Sequence, residues 1–209
     1  MNEVVARDSS RQDRRKAATK AKISEAADRL FAERGYAETS MDDISEAADV
    51  GVRTIYLHFQ SKPGILLDYF DTWLDAFVAC ILDRPTAEPV EDSLPAVMKE
   101  LAQRGWPDGP FRQFPGEHTF NALIGDSPEV AGHLFLSWVR AQRRIAAGTA
   151  AQLGADGASR EAELRAATII AAWSASVTLA NEGFADGSID PTVAGNSLGA
   201  AVTRLLTRE

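Results

Sequence analysis

Residues 39–62 read TSMDDISEAADVGVRTIYLHFQSK. Met41, Ile44 and the Ala47/Ala48 pair recur at i, i+3 and i+6/i+7, the spacing that lines one face of a helix. Ser40, followed three positions later by Asp43, marks where that helix starts: the hydroxyl can accept from an orphan N–H, and the carboxylate can answer it. Asp49, Val50 and Gly51 then break the pattern with two residues that tolerate left-handed or cap conformations, flanking a valine that can plug the gap between helices. From Val52 a second helix runs to about Phe59. Ile55 and Phe59, four apart, should face inward and leave Val52, Arg53, Thr54, Tyr56, Leu57 and His58 outward. Two short helices joined by a three-residue turn are thus expected, with one polar outer face.

That outer face has the chemistry of a duplex reader. In a helix-turn-helix the second helix enters the major groove by its N-terminal residues, here Val52, Arg53 and Thr54. The Arg53 fork can bind O6 and N7 of a guanine, an interaction worth about 1–3 kcal/mol of discrimination, whereas Val52 and Thr54 offer a methyl or a single hydroxyl. Tyr56, His58 and Lys62 suit phosphates, lying further along the groove wall or at the start of the next helix. Thr39 and Ser40 sit at a helix N-terminus, where unpaired amides and the helix dipole favour an anion, so a phosphate could dock there as well. Each of these residues has an ordinary structural explanation when taken singly. Their convergence on one face of a turn-linked helix pair does not.

Ile23, Ala26-Ala27, Leu30-Phe31, Gly35-Tyr36, Thr39-Ser40, Ile44, Ala47-Ala48, Val50, Thr54-Ile55-Tyr56, His58-Phe59 and Ser61-Lys62 together resemble the N-terminal domain of the TetR family of repressors, over about residues 19–67. The likeness extends beyond a bare helix-turn-helix. It includes the first helix, the glycine–aromatic stop after it, and the tyrosine, phenylalanine and lysine around the end of the second short helix. The resemblance implies an all-α homodimer with an N-terminal DNA reader and a C-terminal domain that binds a small molecule and controls DNA release. Two positions depart from the family pattern: Asp49 stands where glycine is usual, and Gly51 where serine usually caps the recognition helix. Asp tolerates a left-handed turn and Gly is an acceptable N-cap, but the missing hydroxyl removes one phosphate donor.

With 209 residues the chain has room for a small reader and a larger helical body. Residues 1–18 are expected to be a flexible basic arm, 19–66 the helix-turn-helix domain and 67–209 the effector-binding and dimerisation domain. The charge is uneven. Residues 1–24 carry seven Lys/Arg against three Asp/Glu, and residues 1–66 carry eleven of each, so the net charge of −8 arises from residues 67–209, with eleven basic and nineteen acidic. An acidic body is repelled by DNA, so binding should be oriented, with Arg7, Arg11, Arg14, Arg15 and Lys16 adding salt-dependent attraction. A polar N-terminus without a signal-peptide core, and an apolar stretch at 166–180 broken by Thr168, Ser174, Ser176 and Thr178, lead to the expectation of a soluble cytoplasmic protein. Cys80, alone and among Ala76, Phe77 and Ile81, reads as packing.

The remaining chain reads as helices. One runs from its Ser61 cap to about Asp83, a second from Ser93 to about Gln103, and a short one ends near Gly125. Three longer ones open at Ser127-Pro128, Ser159 and Asp190-Pro191. The 159–183 segment is apolar around most of its circumference, and the last helix carries Gly195, Leu198, Gly199 and Val202 on one stripe. Small residues four apart let two backbones approach closely, which points to a homodimer through these last two helices, as the resemblance implies, docking on a palindromic operator; packing within one chain is the other reading. An effector cavity would be apolar with a few polar anchors. Its candidate residues are Phe77, Trp106, Phe120, Trp138, Trp173 and Asn181, with His133, Arg140 and Ser174 as further polar candidates, so the ligand would be small and apolar.

The stretch Gly195-Asn196-Ser197-Leu198-Gly199 matches a nucleophile elbow in letters only: no strand precedes it and no histidine follows it. His118 and His133 lack partners at metal spacing, and no phosphate-cradling glycine loop occurs. No catalysis, cofactor or metal is therefore expected. A sequence-specific regulator, most simply a repressor released by its ligand, is the expected function. An effector-independent regulator or activator and a helical protein-interaction module are the alternatives.

Overall fold

A computed structural model describes the backbone of residues 2–106, 125–154 and 159–185, and side chains from residue 11 to residue 174 within those ranges. The described residues are helical, with no strand among them. They form α1 (Asn2–Arg34), α2 (Met41–Ala47), α3 (Val52–His58), α4 (Lys62–Leu66), α5 (Asp68–Leu82), α6 (Val90–Gln103), α7 (Pro128–Gln152) and α8 (Arg160–Ala185). The described residues divide into two compact units, with the boundary between Asp68 and Tyr69.

The first unit is built on α1. Ile23, Ala26, Ala27, Leu30 and Phe31 fall on one face of that helix and are all buried. Ile44 from α2, Ala48 at its C-terminal cap, and Ile55 and Phe59 from the α3 segment complete the same core. Each large apolar side chain removed from water contributes about 1.5–3 kcal/mol, which a seven-residue helix needs because propensity alone cannot hold it. Gly35 ends α1 in a left-handed conformation (φ 87°), its N–H bonded to the Phe31 carbonyl at 3.0 Å. The stretch 1–18, expected as an arm, enters α1 as helix from Asn2 onward. No glycine or proline occurs before Gly35 to stop it.

The helix expected from Ser61 to Asp83 is two helices. Ser61 does cap the first, accepting from the Gly64 N–H at 3.2 Å. Leu67 then leaves helical geometry (φ −100°, ψ 11°) while its side chain is wholly buried, and α5 restarts at Asp68. The next helix also starts earlier than predicted, at Val90, with Pro89 (φ −56°) fixing the entry and Glu91 and Asp92 in the first turn. Ser93 is not its cap. That hydroxyl is buried and donates to Glu88 at 2.9 Å, while Arg165 donates to the Glu88 carbonyl at 2.7 Å.

In the second unit, α7 and α8 lie along each other and α8 also packs on α6. Phe70, Trp73, Leu74, Phe77, Val78, Cys80 and Ile81 from α5 enter the same core as Leu134, Ala141 and Ile145 from α7 and Ala166, Ile169 and Trp173 from α8. Asp71 fastens α5 to α7 by accepting from Ser137 at 2.7 Å, with His133 Nε2 also at 2.7 Å. The last helix, expected from Asp190, and the elbow-like stretch 195–199 lie outside the described residues.

Candidate nucleic-acid interface

The two short helices are set by local chemistry that the sequence spells out. At the start of α2, Ser40 Oγ accepts from the Asp43 N–H at 3.1 Å and Asp43 Oδ2 accepts from the Ser40 N–H at 2.8 Å, a reciprocal capping box. Between α2 and α3 the chain reverses at Asp49, whose φ of 48° is the one positive value of a non-glycine residue among the described residues. Gly51 then opens α3 with an extended backbone (φ −69°, ψ 145°) and no side-chain cap, its carbonyl accepting from the Thr54 N–H at 2.7 Å. With Ile55 and Phe59 locked in the core, the opposite face of α3 has no choice but to point out.

That face holds Arg53, Tyr56 and Leu57 in the open, with Val52 and Thr54 half-buried beside them. Tyr56 is 53% and Leu57 73% exposed, high values for large rings and chains on a helix this short. Leu57, outward as its helical position requires, adds an apolar surface of the kind that suits a thymine methyl group. His58 is half-buried, and its pKa is pushed below the usual histidine range by burial first, then by Lys16 and Lys20 of α1. Both effects favour its uncharged form. Lys20 also pairs with Asp68 at 2.6 Å and lies 5.5 Å from the Phe59 ring. Continuing α1 as a helix with i, i+4 spacing would have revealed the Lys16–Lys20 neighbourhood, which the expectation of a flexible arm concealed.

Three of the eight predicted contact residues are differently placed. Thr39 is only 1% exposed, and its hydroxyl donates inward to the Gly35 carbonyl at 2.9 Å. It ties the α1–α2 turn together, so its side chain cannot also present a hydroxyl to a phosphate. Ser40 is exposed, yet the anion slot at the α2 N-terminus is already filled by Asp43, whose carboxyl is held below its ordinary range chiefly by the Ser40 hydrogen bonds. Lys62 reaches back to the same turn: its ammonium donates to the Tyr36 carbonyl at 2.9 Å and the Thr39 carbonyl at 3.0 Å, 4.2 Å above the Tyr36 ring. In this arrangement it ties the start of α4 to the α1–α2 turn.

A second set of predicted residues lies in the other unit. Phe77, Trp138 and Trp173 do come together, around Trp73: Trp73 stacks on Phe77 at 5.2 Å and on Trp173 at 5.4 Å, and Trp138 meets Trp173 edge-on at 5.8 Å. Trp106 is apart from this group in its contacts, packing on Tyr69 at 4.9 Å. Phe120 and the side chain of Asn181 fall outside the described residues.

Residues 23–69, which include this whole reader, match the family described as "Bacterial regulatory proteins, tetR family". The N-terminal reader is a TetR-family domain. It is 40% identical over 65 residues to MftR of Mycobacterium tuberculosis, described as a regulator of mycofactocin biosynthesis. It is 37% identical over 59 residues to the transcriptional regulator TcmR of Streptomyces glaucescens. These segments are 31% and 28% of this chain and 33% and 26% of the two relatives, so the likeness covers about a third of their length or less. Both are named as transcriptional regulators. The TetR fold extends further. A solved TetR-family regulator from Mesorhizobium loti superposes with a TM-score of 0.52 at 19% identity, covering 93% of this chain and 98% of that one. SmeT, solved with triclosan, gives 0.51 at 19% identity, covering 88% and 90%. Among the described residues no helix is long and apolar enough to cross a membrane.

Proposed function

We propose that this TetR-family chain is a homodimeric transcriptional repressor that reads a palindromic operator with α3 and leaves it when a small molecule binds the 69–209 unit. The observation that carries the reading is the outer face of α3. Arg53, Tyr56 and Leu57 are exposed on a helix whose opposite face is fixed in the core, which is the arrangement a major groove accepts. Arg53 reads a guanine, Val52, Thr54 and Leu57 contact neighbouring bases, Tyr56 takes a phosphate, and the basic face of α1 supplies non-specific attraction. The dimer forms through α8 and the segment beginning at Asp190. The triclosan complex of the structurally similar SmeT supports an aromatic effector held among the body's rings. Effector binding favours a state in which the segment starting at Lys62 tilts, so that the paired α3 helices no longer match successive major grooves.

The test is footprinting of the promoter beside the coding sequence, followed by binding of the protected inverted repeat. Arg53→Ala should cost about 1–3 kcal/mol and relax the preference at one base pair per half-site, with the fold intact by circular dichroism. Wild-type affinity and specificity in that variant would remove α3 from its role as the reader.

A further inference from the structure

The indole N–H groups of Trp73, Trp138 and Trp173 are all sealed from solvent, and none has an acceptor among the described residues. Trp73 and Trp173 are 0% exposed, so these are not surface donors awaiting water. They belong to three different helices, α5, α7 and α8, yet the Trp173 ring lies within 5.4 Å of Trp73 and 5.8 Å of Trp138. Buried polar groups in folded proteins almost always find a partner, and one orphan calls for an explanation. Here there are three in one ring cluster. An indole nitrogen only donates, and the neighbouring Phe70 and Phe77 rings offer no conventional acceptor. A water could accept from two of these donors but would have to place its own two protons, for which the rings supply nothing. An acceptor-only oxygen on an aromatic framework meets both demands, the donors and the stacked rings.

We propose that these three indoles form the polar side of the effector site, and that the effector is a planar aromatic molecule bearing ring-carbonyl oxygens. The inference rests on the reading that the 69–209 unit takes a small molecule, and it replaces a purely apolar ligand with one defined by its acceptors. By accepting from α5, α7 and α8 at once, such a ligand ties together three helices that otherwise leave their donors unused.

Two probes separate the acceptor contribution from ring burial. Anthraquinone-2-carboxylate and anthracene-2-carboxylate share a ring skeleton and a charge, and differ in the two ring carbonyls. Calorimetry on the full chain without DNA should show the quinone binding about tenfold tighter or more. Trp73→Phe and Trp173→Phe keep an aromatic ring and delete the donor, and each should shrink that ratio severalfold. In nitrogen-15 spectra the indole proton signals, assigned by their loss in each variant, should move downfield with the quinone and not with the anthracene. Equal affinities, no binding of the quinone, a ratio that survives both substitutions, or a resident water that keeps its cross-peaks to the indole protons after quinone is added would each overturn the proposal. Operator release is measured separately. A quinone that binds through the indoles yet leaves the DNA complex intact would refute the effector mechanism proposed above and leave the indole site standing.

Discussion

Lys62→Met keeps the aliphatic stem and deletes only the ammonium, so it tests whether this lysine clamps the reader or grips the duplex. In the free protein the ammonium donates to two carbonyls, of Tyr36 and Thr39, and sits over the Tyr36 ring. Hydrogen bonds from a charged group contribute about 1.5–3 kcal/mol each when buried, and the half-exposed position of Lys62 puts these at the lower end. The ring contact adds about 0.5–1 kcal/mol. Rehydration of the two carbonyls and the side-chain freedom regained return about 1–2 kcal/mol, leaving a net loss of about 2 kcal/mol. For a chain of this length that lowers Tm by about 4–8 °C. The paired assays are thermal unfolding by circular dichroism and operator binding across a salt series. The clamp predicts the drop in Tm with the slope of log affinity against log salt unchanged. An unchanged Tm together with a slope shallower by about one would show a phosphate contact and refute the clamp.

Gly51→Ser should tighten operator binding about two- to tenfold, by restoring a hydroxyl at the α3 cap where it can donate to a phosphate, while changing stability by only a few tenths of a kcal/mol. The extended backbone accepts it, and a Cβ there meets nothing nearer than Thr54 Oγ1 at 3.9 Å; an unchanged gel-shift affinity would show that no phosphate passes that cap. Asp28 has its pKa raised, first by burial and then by Asp68 and Glu25. Because the folded carboxyl holds its proton to higher pH than the unfolded one, its ionisation works against folding above the ordinary carboxylate range. Asp28→Asn should therefore raise Tm at pH 7 by about 1–2 °C, modest because half the group stays solvated, and leave it unchanged near pH 3; an equal shift at both pH values would exclude an ionisation effect.

The α2–turn–α3 unit was legible because its apolar spacing, its Ser40/Asp43 cap and its Asp49–Gly51 turn all specify the same backbone. What could not be read were the places where tertiary packing redirects a side chain. Thr39 looks like a cap from its neighbours in sequence, and only the approach of the α1 end shows its hydroxyl spent on the Gly35 carbonyl. Lys62 bonds to residues 23 and 26 positions earlier, a separation that no local pattern encodes. Ser93 has the composition of a helix start but is drawn into the core by Glu88 and Arg165. The aromatic cluster was half legible. Phe77, Trp138 and Trp173 were named from their residue type, while Trp106 packs elsewhere because type alone does not give direction.

The interruption at Leu67 falls within two residues of where three other things change: the match to the TetR family ends at residue 69, the compact units divide after residue 68, and the charge turns from balanced to acidic beyond residue 66. Helix geometry, family likeness, compactness and charge thus all change within about four residues of chain. A plain count of charges along the chain therefore marks the same division as the backbone does, to within two residues.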